Sequence, residues 1–567
     1  MATDETGVEE IDRQWWKEAV VYQIYPRSFK DSDGDGVGDI PGIIEKVDYI
    51  DSLGVDVVWL CPVYDSPNAD NGYDIRDYRS IMDAMGTMDD WETLLAELHD
   101  RDIKLIMDLV VNHTSDEHEW FQKSRRREGK YEDYYIWKDG DPEEPPNNWT
   151  SSFGGPAWSY DEKRGQWYLH LFDEKQPDLN WENPAVRADI KDMLEWWLEK
   201  GIDGFRMDVI NFISKDQAFP DGSTEYDMVG AEYFVDGPRV HEFISELYED
   251  VFDRYDVITV GEMPFVDVEE APKYVGEDGD GMHMAFHFDH ATLDFGETGR
   301  WSVRDPDLTD IKAVFSRWQT TLAESNAWNA VYWENHDQPR SISRYANDDQ
   351  YRRESATLLA TFLMTLRGTP FVYQGEELGM TNADFESLED VRDVDTRNPI
   401  ETMLETGEIE SYEEIRDIVN HRSRDHARTP MQWSSEDNAG FTDGEPWINV
   451  NDNYTEINVA DQREDEHSVL QYYRDLIVLR HSEDVLVYGE YDLVLPEDEQ
   501  IYAYTRTLGD EQALVVLNWS EDARALDLRE HARERTPDVT IANYYEVGSD
   551  LADLNLRPYE ARVYRLV

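Results

Sequence analysis

The residues able to do chemistry sit at the ends of short apolar runs. GFRMDVI (204–210) carries Arg206 and Asp208, DVITVGE (256–262) ends in Glu262, and NAVYWENHD (329–337) ends in His336 and Asp337. KLIMDLVVNH (104–113) closes on Asn112 and His113, and GTPFVYQGEE (368–377) on Gln374, Glu376 and Glu377. Carboxylates that meet at one place can divide the work of nucleophile and general acid. Arg206 and Asp208 are two residues apart, so on a strand both side chains share a face, where the guanidinium favours an ionised Asp208. Glu262 follows the apolar VITVG, and desolvation there raises a carboxyl pKa, as suits a proton donor. A separate group, DSDGDGVGD (31–39), sets Asp31, Asp33 and Asp35 at alternate positions, then Gly36 for a sharp turn, the Val37 carbonyl and Asp39. This follows the first nine positions of an EF-hand loop, but the twelfth is Gly42, so the full loop is absent.

These residues need a scaffold that brings distant segments to one rim. AVVYQIY (19–25), VDVVWLCP (55–62) and AFHF (285–288) bring the strand-like runs to eight. Between the runs lie amphipathic stretches such as RADIKDMLEWWLEKG, where Ile190, Met193, Leu194, Trp197 and Leu198 keep helical spacing. Repeated strand–helix alternation predicts an α/β fold, a closed TIM-like (β/α)8 barrel with its active site at the C-terminal strand ends. The barrel is expected over 1–113 and 178–485. A loop-rich subdomain at 114–177 interrupts it after the third strand, and an acidic, irregular insertion occupies about 380–460 after the eighth. Short alternating runs from QIYAYTRT to ARVYRLV predict a C-terminal antiparallel β-sandwich over 486–567.

Composition narrows the setting. The 52 basic and 125 acidic residues give a formal charge of −73, yet 19 Trp and 32 Tyr exclude a disordered chain. Only 14 of the basic residues are lysine, and none follows Lys312. Carboxylates at this density repel one another in dilute buffer, and molar salt shortens the screening length to about 3 Å. The chain is therefore expected to require high salt, as in the cytoplasm of a halophilic microbe. An acidic surface also argues against a nucleic-acid partner. Cys61, the single cysteine, rules out an intrachain disulfide. MATDETGVEEIDRQWWKEAV lacks the pattern of a secretory signal, and no apolar run reaches membrane length, so a cytoplasmic location without membrane contact is expected.

DLVVNH (108–113), QPDLN (176–180), GFRMDVIN (204–211), GEMP (261–264), ENHDQPR (334–340) and SRDHARTPMQW (423–433) occur in this order. With these motifs the chain resembles the α-amylase family of glycoside hydrolases, most closely its oligo-1,6-glucosidase and α-glucosidase branch. The resemblance implies that Asp208 is the nucleophile of a retaining reaction, Glu262 the acid/base and Asp337 a third carboxylate that binds sugar hydroxyls. It places Asp70, Tyr73, His113 and Arg428 around the terminal sugar, with Arg206, Val209 and His336 beside them. A subsite closed in this way is a pocket, which implies an exo-acting enzyme that takes glucose from short oligosaccharides or disaccharides. Val209 after the nucleophile is similar to enzymes that cleave α-1,6 linkages, and Phe265 departs from the small residue usual after GEMP. Asp31, Asp33, Asp35, Val37 and Asp39 become ligands of a structural Ca2+ or Mg2+, and no organic cofactor is implied. Two other outcomes belong to the same family. One is transfer of glucose to a sugar, as in sucrose isomerases and trehalose synthases. The other is a non-catalytic member, which the presence of all three carboxylates disfavours.

Overall fold

The computed structural model describes residues 11, 13–226, 228–276, 279–297, 299–532 and 535–567. Eight strands lie where the apolar runs put them: β1 Val21–Ile24, β2 Val57–Leu60, β3 Lys104–Leu109, β4 Gly204–Met207, β5 Ile258–Glu262, β6 Met284–Phe286, β7 Ala330–Val331 and β8 Thr369–Tyr373. Their spatial order is β6-β5-β4-β3-β2-β1-β8-β7, every neighbouring pair is parallel, and a parallel bridge from Ala285 to Asn329 closes the ring.

Period-2 alternation sorts the strand residues into two cores. Val21, Val57, Trp59, Ile106, Ile258, Val260, Met284 and Phe371 pack together inside the barrel. Tyr22, Ile24, Val58, Leu60, Leu105, Met107, Phe205 and Met207 point outward to the helices. The same parity sends Asp108, Arg206 and Glu262 inward at the C-terminal rim. The surrounding helices form for local reasons. In α1 (Pro184–Glu199), Asn183 caps the N-terminus by accepting from the Ala185 N–H, and Pro184 occupies the first turn, where its missing donor costs nothing. Its buried stripe is Val186, Ile190, Met193, Leu194, Trp197 and Leu198. No helix among the described residues is long and apolar enough to cross a membrane.

The segment after β3 forms a helix, Glu119–Arg125, and a three-stranded antiparallel sheet of Trp137–Lys138, Gln166–Leu169 and Trp158–Asp161. A bridge between His113 and Asp178 pins its two ends together at the barrel rim. The segment after β8 differs from the irregular insertion expected there: it holds helices at Val394–Thr406 and Arg416–Arg422. Apolar residues are sparse in the first, whose buried positions are Asp395, Thr396 and Ile400, and Pro399 interrupts its pattern. The helical period is therefore diluted in the sequence. A small core of Phe385, Val391, Ile400, Ile415 and Val419 holds the segment together instead.

At the C-terminus, Glu490–Val494, Ile501–Leu508, Glu511–Asn518, Ala561–Leu566 and Pro537–Ala542 form a five-stranded antiparallel sheet. A two-stranded sheet, Arg524–Leu526 with Leu554–Leu556, accompanies it. Ile501, Leu514, Val516, Leu554, Leu556 and Leu566 fill a core of their own, while Tyr502, Tyr504, Val515 and Val563 join the barrel's outer core.

Candidate active site

The centre of the mouth is Arg206, 1% exposed at the end of β4. Its Nη1 donates to Asp108 at 2.6 Å and Asp208 at 2.7 Å, and its Nη2 meets Glu262 at 2.5 Å. One guanidinium thus holds three carboxylates from three neighbouring strands. Asp108 also accepts from the Trp59 indole at 2.6 Å. Burial works against the charge on Arg206, but Glu262, Asp108, Tyr73 and Asp208 outweigh it and hold the pKa well above the ordinary range.

Burial also pushes both Asp208 and Glu262 up, with Arg206 pulling each of them back. Arg206 does pull Asp208 toward the ionised form, as expected, but the same guanidinium grips Glu262, and burial pushes against it at both. The two carboxyl groups are thus pushed the same way by burial and restrained by one shared cation, so they titrate as a linked pair. Val209 is also not the strand residue its sequence suggests. It follows β4 in a left-handed conformation, φ 35° and ψ 43°, a strained one for a β-branched side chain. This turn aims the Val209 N–H at Glu262 Oε2, 3.0 Å away.

The third carboxylate has the opposite electrostatics. Asp337 accepts from Arg428 at 2.7 Å and Arg424 at 3.1 Å, and lies 3.2 Å from His336 Nε2. Burial pushes Asp337 up, but His336, once protonated in acid, together with the permanently charged Arg424, Arg428 and Arg206, outweighs it and holds the group well below the carboxylate range. The His336 ring is parallel to those of Tyr73, 5.3 Å away at 5°, and Tyr25, 5.8 Å away at 17°. Its ring nitrogens bond to Gln23 at 2.9 Å and the Tyr73 hydroxyl at 2.7 Å, and burial lowers its pKa to about 3. It stays neutral.

Asp70 and His113 meet through Gln176, whose amide nitrogen lies 3.0 Å from Asp70 Oδ2 and 3.2 Å from His113 Nε2. Burial raises Asp70 to about 7 against the pull of Arg424 and Arg428, and lowers His113 to about 4. The ten residues named from the sequence thus fall into linked groups at one rim. Sequence reading passes over Asp108, Gln176, Arg424 and Asp393. Asp108 shares the parity of inward-facing Ile106, which was a usable signal. Arg424 precedes Arg428 by four residues and bonds Asp393 at 2.5 Å, a pairing that no local spacing reveals.

Set beside known proteins, residues 23–489 match the model of the alpha amylase catalytic domain, and residues 491–563 that of the maltogenic amylase C-terminal domain. The chain belongs to the α-amylase family. Within that family, the oligo-1,6-glucosidase of Parageobacillus thermoglucosidasius is 54% identical over 98% of this chain and 100% of its own. The trehalose-6-phosphate hydrolase of Bacillus subtilis (strain 168) is 48% identical over 97% of this chain and 98% of its own. The solved isomaltulose synthase of Klebsiella sp. LX3 has a TM-score of 0.95 at 44% identity, covering 98% of this chain and 100% of that one. The eight-stranded barrel and the C-terminal antiparallel domain are therefore an α-amylase-family architecture.

This α-amylase-family chain gathers a second carboxylate cluster in the 31–39 loop. Ligand oxygens of Asp31, Asp33 and Asp39 lie within 4.8 Å of one another. The Asp35 carboxylate is not in that cluster. Its Oδ1 accepts from the Val37 N–H at 2.8 Å, as Asp33 Oδ1 does from the Asp35 N–H, and the side chains that converge are Asp31, Asp33 and Asp39. Asp31 accepts from the N–H groups of Asp33, Gly34 and Gly36, and from Thr442, while Asp39 accepts from Gly42 and Ser32. Gly36 is obligatory here, since a Cβ would sit 1.8 Å from the Glu445 carbonyl. Among the described residues no lysine or arginine side chain pairs with the three, and carboxylate oxygens are the donors that hard cations take.

Proposed function

We propose that this protein is a retaining, exo-acting α-glucosidase that releases α-glucose from the non-reducing end of short α-glucosides, with α-1,6-linked isomalto-oligosaccharides preferred. The observation that carries the reading is the Arg206 grip on Asp208 and Glu262 at the barrel mouth, facing an Asp337 held ionised by two arginines. Asp208 attacks the anomeric carbon as Glu262 gives its proton to the departing glycosidic oxygen. Glu262 then takes a proton from water, whose oxygen attacks the anomeric carbon on the face the leaving group vacated, opposite Asp208, and breaks the ester, so two inversions retain the anomeric configuration. Asp337, Asp70, His113 and Arg428 hold the hydroxyls of the terminal glucose, and His336 and Tyr73 wall the pocket.

Hydrolysis is favoured over isomerisation by the segment after Asp337. Arg340 and Arg344 are both buried, paired at 2.8 Å with Glu334 and at 2.7 Å with Asp294, and so are turned away from a departing sugar. The site arginines are likewise matched: Arg206 by Asp108, Asp208 and Glu262, and Arg424 and Arg428 by Asp337 and Asp393. That pairing supports neutral glucosides over sugar phosphates as substrates. Names of relatives and Val209 support the α-1,6 preference.

Asp31, Asp33 and Asp39 are the side chains that would hold a structural Ca2+ or Mg2+, fixing the 31–39 loop against the 441–446 segment. The charge of −73 supports folding in a high-salt cytoplasm. The test is a product time course on isomaltose, maltose and trehalose 6-phosphate in molar KCl, with the anomer read by NMR. α-Glucose from isomaltose is expected first, and β-glucose as first product overturns the mechanism. Full activity after dialysis into dilute buffer overturns the salt requirement.

A further inference from the structure

Phe265 is the most exposed phenylalanine among the described residues, at 63%. A single exposed apolar side chain needs no explanation, but this one ends a row of rings. His113 in the glucose pocket contacts Phe172, with ring centroids 5.0 Å apart. Phe172 stacks on Phe212 at 6.4 Å and 23°, and Phe212 on Phe265 at 6.5 Å and 6°. Each step is close to the length of one pyranose ring. The row starts at the terminal-sugar subsite and ends in solvent.

Its outer members belong to the loops that carry the reacting carboxylates. Phe212 lies four residues after Asp208 and Phe265 three after Glu262, and the Asn211 amide ties the loops by donating to the Pro264 carbonyl at 3.0 Å. Phe265 adopts φ 63°, a conformation that favours glycine and costs a phenylalanine energy. Phe212 is buried, and its ring lies parallel to that of the exposed Phe265. A flat, uncharged ring face matches the C–H face of a sugar, and it makes no demand on the linkage's oxygens.

We propose that Phe265, beside Phe212, is a stacking platform for the part of the substrate beyond a disaccharide, from the third sugar outward. The site takes a neutral glucosyl unit and rewards isomaltotriose over isomaltose. This assignment rests on the α-glucosidase reading. The test compares kcat/KM on isomaltotriose and isomaltose for wild type, Phe265→Gly and Phe265→Trp in molar KCl. Glycine removes the ring yet accepts the positive φ, so folding is preserved. The isomaltotriose-to-isomaltose ratio is expected to fall by about fivefold to tenfold in Phe265→Gly, chiefly through KM for the trisaccharide, and to recover in Phe265→Trp. An unchanged ratio in Phe265→Gly, or a loss that tryptophan does not restore, overturns the platform while leaving the α-glucosidase reading standing. Wild type inactive on both isomaltosides, by contrast, removes that reading and the platform together.

Discussion

Arg206 at the barrel mouth and Arg506 at the seam between barrel and C-terminal domain are both fully buried, yet they are neutralised by different means. Arg206 meets three carboxylates. Arg506 meets only carbonyls: Gly489 at 2.7 Å, Leu486 at 2.8 Å, Val487 at 3.3 Å, and Thr365. Arg480 beside it does the same with Met364, Leu366 and Gly368. These carbonyls include the last turn of helix α2 (Arg352–Thr365), the negative end of its dipole. Burial and the neighbouring Arg480 and Arg367 push Arg506 down to about 9, and burial pushes Arg480 down to about 10. Both stay charged at neutral pH. A carbonyl cannot take up a proton, so the seam is fixed, whereas the carboxylates around Arg206 can exchange protons and partners. Chemistry is built from the first arrangement of partners and domain docking from the second.

The sharpest way to break this contrast is to change one carboxylate. Asp208→Asn is expected to lower kcat by about 10^4-fold or more at an unchanged melting temperature. Activity above a few per cent would return Asp208 to the structural class that Arg506 represents.

Acid separates the regions next. Burial lowers His113 and His118 to about 4 and His287, His336 and His426 to about 3. The unfolded chain takes up protons below about pH 6.5 that the folded barrel refuses, so stability present above that pH is lost on acidification. The cost at pH 5 is on the order of 2 kcal/mol per such histidine. Asp70, raised to about 7, and Asp108 and Asp425, each raised to about 6, pull the other way, since the folded state binds their protons more tightly. So do Asp208, Glu262, Glu376 and Glu377, all pushed up by burial, and the order of opening on acidification reads which set wins. Hydrogen exchange at pH 5 is expected to open barrel strands before the C-terminal sheet, and the reverse order would break the comparison.

Arg506→Met should strand the carbonyls of Thr365, Leu486, Val487 and Gly489. A loss of about 2–4 kcal/mol in unfolding free energy is expected, with kcat per folded molecule unchanged. If kcat falls while the denaturation midpoint holds, the seam is coupled to chemistry. The smallest effect is Val209→Ala, expected to shift the isomaltose-to-maltose ratio of kcat/KM by about threefold. An unmoved ratio would detach Val209 from linkage choice.

The eight strands were legible because alternation and apolar runs are local properties, and the rim residues followed from their position at run ends. The 394–422 helices were not, since few of their residues are buried and Pro399 breaks the pattern. Asp35 was placed among the metal ligands by its spacing and by the family resemblance, while the oxygens that converge in the fold are those of Asp31, Asp33 and Asp39. Asp393 could not be read as a site residue at all, because its partners Arg424 and Arg428 lie more than thirty residues away.

By itself the sequence determined the barrel, its strand order and the presence of Asp208, Glu262 and Asp337 at one mouth. Those follow from period, connection length and residue type. Only the tertiary structure decided how the charges are shared. Coulomb energies among buried groups depend on separations near 3 Å across strands distant in sequence. Hence Arg206 serves Asp108, Asp208 and Glu262 together, Asp337 is held ionised by Arg424 and Arg428, and Val209 bends to aim its N–H at Glu262.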